Sequence, residues 1–446
     1  MNSLPDGLLV AWYGDDFTGA AAVMEVLSFS GIPAMLFLDV PTEAQLAQYP
    51  DLRAVGVAST ARASSPDEMD DALTPAFAAL LSLDPALLHY KVCSTLDSSP
   101  VIGSIGRAIE IGADLTDPQI VPVLIAAPQM QRFQVFGHLF AGLGDQVYRL
   151  DRHPVMARHP VTPMAESDVA RHIAAQSDRI NATLWTGAPP PSRPDTIQVV
   201  TLDSQDARTE TGAGRMIWEG HAENRFVVGS QGVEYALVRH WVETGALEQV
   251  DPPKGAGRAN GMVVVSGSVS PTTAGQISWS RANGFQTLRF DATRAVANAR
   301  ALSAEVDRIV HEALAAIAAG RDPLIFTAEG PDDPAVAGLN SAVDAAGADM
   351  GAVNRRIGQA LGEMLDRILT KSGIRRAVIS GGDTSGYATK QLGIFALSAL
   401  APTIPGASLC KAHADGPMDG LELALKGGQM GSPDYFGWIR DGGGHR

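Results

Sequence analysis

The sequence predicts an α/β protein of two domains, each a largely parallel sheet flanked by helices, with the active site in the interdomain cleft. Three observations lead there. Short apolar runs alternate with Ala- and Leu-rich helical patterns in both halves of the chain. Several of those runs end in polar or Gly/Ser-rich corners. One stretch, Asp251-Pro252-Pro253-Lys254-Gly255-Ala256-Gly257-Arg258-Ala259-Asn260, is rich in Pro and Gly and has no periodicity. It divides residues 1–250 from 261–446 and reads as a linker over 251–260.

In chain order, the first half gives strands at Leu8–Trp12, Ala34–Leu38, Ala54–Ala58, Leu87–Val92, Val121–Ala126, Ile197–Leu202 and Arg225–Gly229. Each is a short apolar run suited to a sheet covered on both faces. Helices are expected from about Thr18, over Glu68–Leu81 and over Gln231–Thr244, where apolar residues recur at helical spacing. After the linker the pattern restarts with strands at Met262–Val265, Gln286–Phe290, Leu324–Thr327 and Ala377–Ser380. Helices are expected at Thr272–Asn283 and around 299–319, 351–372 and 386–398. A further helix is expected to end at Lys426-Gly427, with Gly427 as its C-cap. The Pro-rich run Pro189–Pro194 reads as a loop, and the tail Asp441–Arg446 as disordered.

Composition narrows the function. The chain has 446 residues, 45% hydrophobic, enough for a substantial core in two or three domains. No window approaches the roughly 20 apolar residues of a membrane span, and Met1–Asp6 carries no signal-peptide pattern. Two cysteines, Cys93 and Cys410, argue against a disulfide framework or a Cys-based metal site, and a reducing cytoplasm fits. A net charge of −15 argues against a nucleic-acid partner. An anionic small molecule must then be held by local devices: helix N-termini, backbone N–H nests, a few cations or Mg²⁺. The oligomeric state, a homo-oligomer included, is left open.

Several corners carry candidate chemistry. Gly14 is followed by two adjacent carboxylates, Asp15 and Asp16, at the carboxyl end of the first strand, where open α/β sheets place ligands. One of them can simply cap the next helix, but a cap needs only one. Further candidates in the first half are Arg62, Lys91 with Ser94 and Thr95, Arg132 and His138, His159 with Thr162, and Ser230 after Gly229. Lys91 can neutralise a substrate carboxylate or be a strand-end surface lysine; each histidine can bind a hydroxyl or be structural. In the second half Ser266, Ser268 and Ser270 lie at a strand end ahead of Pro271, an arrangement suited to an anion or to a plain N-cap. Gly381-Gly382-Asp383-Thr384 lets backbone approach a ligand, with Asp383 placed to orient Mg²⁺. Gly428 and Gly431 extend the same theme.

These segments carry a resemblance. Gly14-Asp15-Asp16-Phe17-Thr18-Gly19-Ala20 resembles the opening signature of the four-carbon acid sugar kinases, the tetronate-kinase family. Tyr90–Thr95, Gly137–Phe140, His159–Met164, Ser266–Pro271, Gly381–Gly386 and Leu425–Gly431 resemble later segments of that family, in the same order. The chain departs from the family's Lys-x-Asp-Ser-Thr-Leu-Arg-Gly pattern by having Cys93 at the Asp and Asp97 at the Arg. Losing a guanidinium and gaining a carboxylate changes which anion is recognised.

The resemblance implies an acid-sugar-binding first domain, a nucleotide-binding second domain, and ATP-dependent phosphorylation of a small sugar-acid hydroxyl with Mg²⁺. Threonate, erythronate and 3-oxo-tetronate are the acceptors it implies, with the branched 3-oxo-isoapionate as the alternative. Ser266, Ser268, Ser270, Gly381, Gly382, Asp383, Thr384, Gly428 and Gly431 would line the ATP site. Lys91 and Arg62 would hold the substrate carboxylate. Asp16, or else Asp15, would take the proton of the attacking hydroxyl. A non-kinase α/β lyase and a non-catalytic sugar-acid sensor are the other readings; no Gly-x-Gly-x-x-Gly follows a strand to support a dehydrogenase.

Overall fold

The computed structural model describes residues 3–188 and 195–446, with backbone but not side chains at 383–385. The Pro189–Pro194 run lies outside the described residues. The chain divides into two compact units, Met1–Asp251 and Pro252–Arg446.

The first unit holds strands β1 (Val10–Gly14), β2 (Ala34–Phe37), β3 (Ala54–Ala58), β4 (Leu87–Lys91) and β5 (Val121–Leu124), then β6 (Arg132–Val135), β7 (His138–Leu143) and β8 (Gln146–Arg149), and finally β9 (Ile180–Leu184), β10 (Ile197–Thr201) and β11 (Phe226–Gly229). Its main sheet runs β2-β3-β1-β4-β11-β5-β10-β9 and is parallel throughout. Strand β1 is flanked by β3 and β4, so three C-terminal corners of distant sequence meet at the point where the strand order reverses. Burial on both faces explains the mainly apolar composition of β1, β4 and β11.

Helices cover the sheet. The helix Pro66–Ser82 opens with a capping box, Ser65 and Glu68 satisfying each other's backbone N–H groups, and has Pro66 in its first turn. Its Phe77 ring stands 5.7–5.8 Å from the rings of Tyr13, Tyr90 and Phe226, pinning the helix over β1, β4 and β11. Truncation of Phe77 to Ala would cost about 3–5 kcal/mol. The three-stranded antiparallel sheet β6-β7-β8 and the strand β9 have no counterpart among the expected elements. Their residues are only partly buried, so no long apolar run marks them.

The second unit holds β12 (Val263–Ser266), β13 (Phe285–Arg289), β14 (Asp322–Phe326), β15 (Arg376–Ser380), β16 (Ile394–Ala401), β17 (Leu409–Ala414) and β18 (Glu422–Lys426), in the order β13-β14-β12-β15-β18-β17-β16. The first five in that order pair in parallel; β18-β17-β16 are antiparallel. The expected helix over 386–398 is instead the helix Gly382–Gln391 followed by β16. The expected helix ending at Gly427 is the buried strand β18. Its short apolar run is ambiguous between helix and strand, and pairing on both edges decides it. The C-terminal tail is ordered rather than free. Trp438 Nε1 donates to the carbonyl of Gly444, Gly444 N–H donates to Pro402, and Arg446 stacks on Trp438. Residues 256–259 lie along the same tail, bonded to Gly442 and Arg440, while Arg376 donates to the Gly257 carbonyl.

Among the described residues no helix is long and apolar enough to cross a membrane.

Candidate active site in two corners

In the first unit the C-terminal corners of β1, β3 and β4 bring four charged side chains together. Asp16 is extended (φ −141°, ψ 163°) and caps the helix Phe17–Phe29, its Oδ1 accepting the N–H of Gly19 at 2.9 Å. The capping reading is therefore correct for Asp16, but it engages one oxygen only. Arg62, past the end of β3, donates to both oxygens of Asp15 (3.1 and 2.7 Å) and to Oδ1 of Asp16 (2.8 Å). Asp15 is buried, and burial raises its pKa while Arg62 opposes the rise. The Arg62 guanidinium is held charged above its ordinary range chiefly by Asp15, against its own burial.

Lys91, the last residue of β4, is 2% exposed; its Nζ donates to the Val92 carbonyl at 2.6 Å. A methyl group on Gly19 would collide with the Lys91 ammonium and the Asp16 carboxylate, so glycine is required for this close approach. Arg62 lies 46 and 47 residues from the carboxylates it binds, a pairing that only the parallel register of β1 and β3 creates. Its expected role as a substrate anchor meets a guanidinium already engaged by two acids.

The remaining first-unit candidates divide. Ser94 and Thr95 are half-buried beyond β4, and Thr95 Oγ1 lies 3.1 Å from Cys93 Sγ. Asp97 accepts a hydrogen bond from Thr162 Oγ1, and His159 Nδ1 lies 3.8 Å from the same carboxylate. His159 Nδ1 accepts the Thr162 N–H at 3.1 Å, which leaves its Nε2 as the protonated nitrogen of the neutral ring. His138 Nδ1 pairs with Ser167 Oγ at 3.0 Å on β7. Ser230 is fully buried, and its hydroxyl donates to the Ile125 carbonyl and accepts the Gly232 N–H, which closes the turn after β11.

In the second unit the corners after β12, β15 and β18 are knitted by backbone and hydroxyl bonds. Gly267 N–H donates to Ser380 and Gly381 N–H to the Lys426 carbonyl. Ser270 caps the helix Pro271–Ala282 through Thr273 N–H (3.0 Å). Ser270 Oγ and Thr273 Oγ1 both donate to the Gly428 carbonyl, and Ser268 N–H reaches back to Ser266 Oγ. A Cβ at Gly428 would strike the Ser268 hydroxyl, so glycine lets the two corners touch. Gly431 (φ +90°) sits in a turn cinched by Gln276 Nε2, which donates to the carbonyls on both sides of it. Gly382 begins the helix Gly382–Gln391, and a Cβ there would meet nothing within 4 Å among the described residues. The side chains of Asp383 and Thr384 lie outside the described residues.

Two buried polar groups lie in this floor. Ser266, Ser380 and Lys426 stand in register at the ends of β12, β15 and β18. Ser380 Oγ is buried without a hydrogen-bond partner. Lys426 is 1% exposed, donates to Thr273 Oγ1 (3.3 Å) and to the Gly427 carbonyl (3.0 Å), and burial lowers its pKa to about 8. Neither stands out in the sequence alone, although Lys426 belongs to the Leu425–Gly431 segment. A buried lysine is visible only once β18 is known to be a central strand. Among the described residues no group of three or more His, Cys, Asp or Glu is placed to hold a metal ion.

Comparison with known proteins places this geometry. Residues 10–237 match the model of a sugar-binding N-terminal domain and residues 263–436 that of a nucleotide-binding C-terminal domain. The chain is 44% identical to a 3-oxo-isoapionate kinase from Paraburkholderia graminis, over 98% of this chain and 95% of the relative. It is 29% identical to a 3-oxo-tetronate kinase from Salmonella typhimurium, over 96% and 98% of the two chains. A solved structure from Salmonella typhimurium LT2, described as a putative tRNA synthase, shares the fold with a TM-score of 0.74 and 24% identity over 97% and 98% of the chains. A second, from Haemophilus influenzae, aligns at a TM-score of 0.72 and 21% identity over 96% and 99%. With one family domain matched in each unit and a full-length relative at 44% identity, the chain belongs to the four-carbon acid sugar kinase family.

Proposed function

We propose that the chain is an ATP-dependent kinase that phosphorylates a hydroxyl of 3-oxo-isoapionate or a closely similar branched sugar acid. The single observation that supports this reading most is the Asp16 carboxylate. Its Oδ1 is fixed by Gly19 and Arg62, while Oδ2 has no hydrogen-bond partner among the described residues. A carboxylate anchored by one oxygen and open at the other suits a general base, and both oxygens of Asp15 are held by Arg62. In this mechanism Asp16 Oδ2 accepts the acceptor's hydroxyl proton and Arg62 positions the two acids. Lys91 contributes positive charge beside them. Phosphoryl transfer asks mainly for alignment and charge neutralisation, which buried cations and oriented hydroxyls supply.

On the nucleotide side, Lys426, Ser380 and the Ser266–Ser270 hydroxyls would face the phosphates, and the open space over Gly382 would admit them. Mg²⁺ would enter with the nucleotide and neutralise phosphate charge. Identity of 44% to a 3-oxo-isoapionate kinase, against 27–29% for the 3-oxo-tetronate kinases, favours the branched acid; the departures at Cys93 and Asp97 point the same way. The 3-oxo-tetronates remain the second reading. Coupled ADP detection across four- and five-carbon sugar acids tests the proposal. The expected result is fastest turnover with 3-oxo-isoapionate and loss of activity with EDTA; turnover only with a 3-oxo-tetronate would select the second reading.

A further inference from the structure

A sugar acid brings a carboxylate that needs a counter-ion, and Arg62 is already bound to two. Arg132, the first residue of β6, is the other guanidinium near this corner. Its NH1 donates to the carbonyls of Met130 (3.1 Å), Gln131 (3.2 Å) and Gly142 (3.4 Å), which fixes the plane of the group. Its Nε is buried and has no hydrogen-bond partner. Among the described residues Cys93 and His153 are its titratable neighbours, and no carboxylate is among the groups acting on it. The Cys93 thiol also acts on Arg62, so Cys93 lies within electrostatic reach of both guanidinium groups. Burial of an unpaired guanidinium and an orphaned N–H is costly unless a ligand completes it. A planar group with NH1 tied to carbonyls and Nε left without a partner matches a carboxylate.

We propose that Arg132 receives the carboxylate of the sugar acid, and that the lack of a carboxylate side chain at position 93 keeps that guanidinium available. The assignment rests on the sugar-acid kinase reading. It gives Arg62 and Arg132 different work: Arg62 positions Asp15 and Asp16, and Arg132 selects acids over neutral sugars. Asp97 is engaged by the Thr162 hydroxyl, and it is not among the groups acting on Arg132.

The test compares 3-oxo-isoapionate with its primary amide as acceptors, by ADP-coupled rates and by calorimetric binding without nucleotide. For Arg132→Gln the acid's KM should rise about 10- to 100-fold, with ATP KM unchanged and kcat within about threefold. The preference for acid over amide should collapse in that variant. Cys93→Asp should raise the acid's KM well beyond Cys93→Asn, which has the same shape without the charge. That pair reads the proposal even if Arg132→Gln misfolds. An unchanged acid KM in Arg132→Gln, equal losses for acid and amide, or equal effects of Cys93→Asp and Cys93→Asn would overturn the assignment. Absence of ADP release from the wild type with any sugar acid would instead defeat the kinase reading, and calorimetry would still report whether Arg132 discriminates acid from amide.

Discussion

The corner after β1, β3 and β4 is built from formal charges, whereas the corner after β12, β15 and β18 is built from hydroxyls, backbone and one lysine. In the first, two carboxylates, an arginine and a buried lysine converge from three strand ends. In the second, Ser266, Ser268, Ser270 and Thr273 bond one another and the Gly428 carbonyl, with Lys426 as the local cation. The difference suits the two halves of a phosphoryl transfer. An acceptor hydroxyl needs a base and its carboxylate needs a counter-ion. A polyphosphate needs many oriented donors and metal more than it needs protein charge. In a chain of net charge −15 both devices are local, and each can be broken without touching the other.

The largest effect is expected in the charged corner. Asp16→Asn retains an oxygen to cap Gly19 but removes the base, so kcat should fall about 10²- to 10⁴-fold with ATP KM little changed. Steady-state kinetics with unchanged circular dichroism checks this; a near-normal kcat would make Asp16 a cap alone. In the hydroxyl corner, Lys426→Met removes a buried cation without leaving a cavity. ATP KM should rise about 10- to 100-fold, as for loss of a charged hydrogen bond. Its pKa near 8 adds a pH signature. The ammonium is present below that value and lost above it, so kcat/KM for ATP should decline above about pH 8 in the wild type. Lys426→Met should abolish that decline.

Gly382→Val is a steric probe of the same corner. A Cβ at this position meets no described atom within 4 Å, so folding should survive. ATP KM should nonetheless rise at least tenfold, about 1.4 kcal/mol, if phosphates approach that backbone. Unchanged ATP kinetics would move the nucleotide elsewhere. The smallest effect belongs to Thr162→Val, which deletes the hydroxyl between Asp97 and His159 while keeping volume. The acceptor KM should rise about 2- to 10-fold with no effect on ATP. An equal change in both substrates would mean a general loss of packing.

The two corners also differ in how far the sequence discloses them. The strand ends Asp15, Lys91, Ser266 and Gly381 are legible because buried parallel strands are mainly apolar runs, and the residues at or just past the end of each run line the carboxyl edge of the sheet. Contacts across the fold are not legible. Arg62 is one arginine among many until β3 pairs with β1, and only then do Asp15 and Asp16 acquire a partner. Ser230 has the sequence setting of a strand-end ligand, yet its hydroxyl serves the local turn, a choice set by geometry over a few residues. Strand β18 escapes a reading from sequence because Glu422–Lys426 with glycines after it fits a helix C-terminus equally well. Its burial between β15 and β17 is a tertiary fact, and the role of Lys426 is hidden with it.

The division of labour is tested most directly by incubating ATP, 3-oxo-isoapionate and the wild-type protein together and observing the mixture by phosphorus NMR. ADP and one new phosphomonoester should appear in equal amounts, only when the acid is present, and Asp16→Asn should slow both together. Release of inorganic phosphate irrespective of the acid, or no consumption of ATP with any sugar acid, would contradict that division.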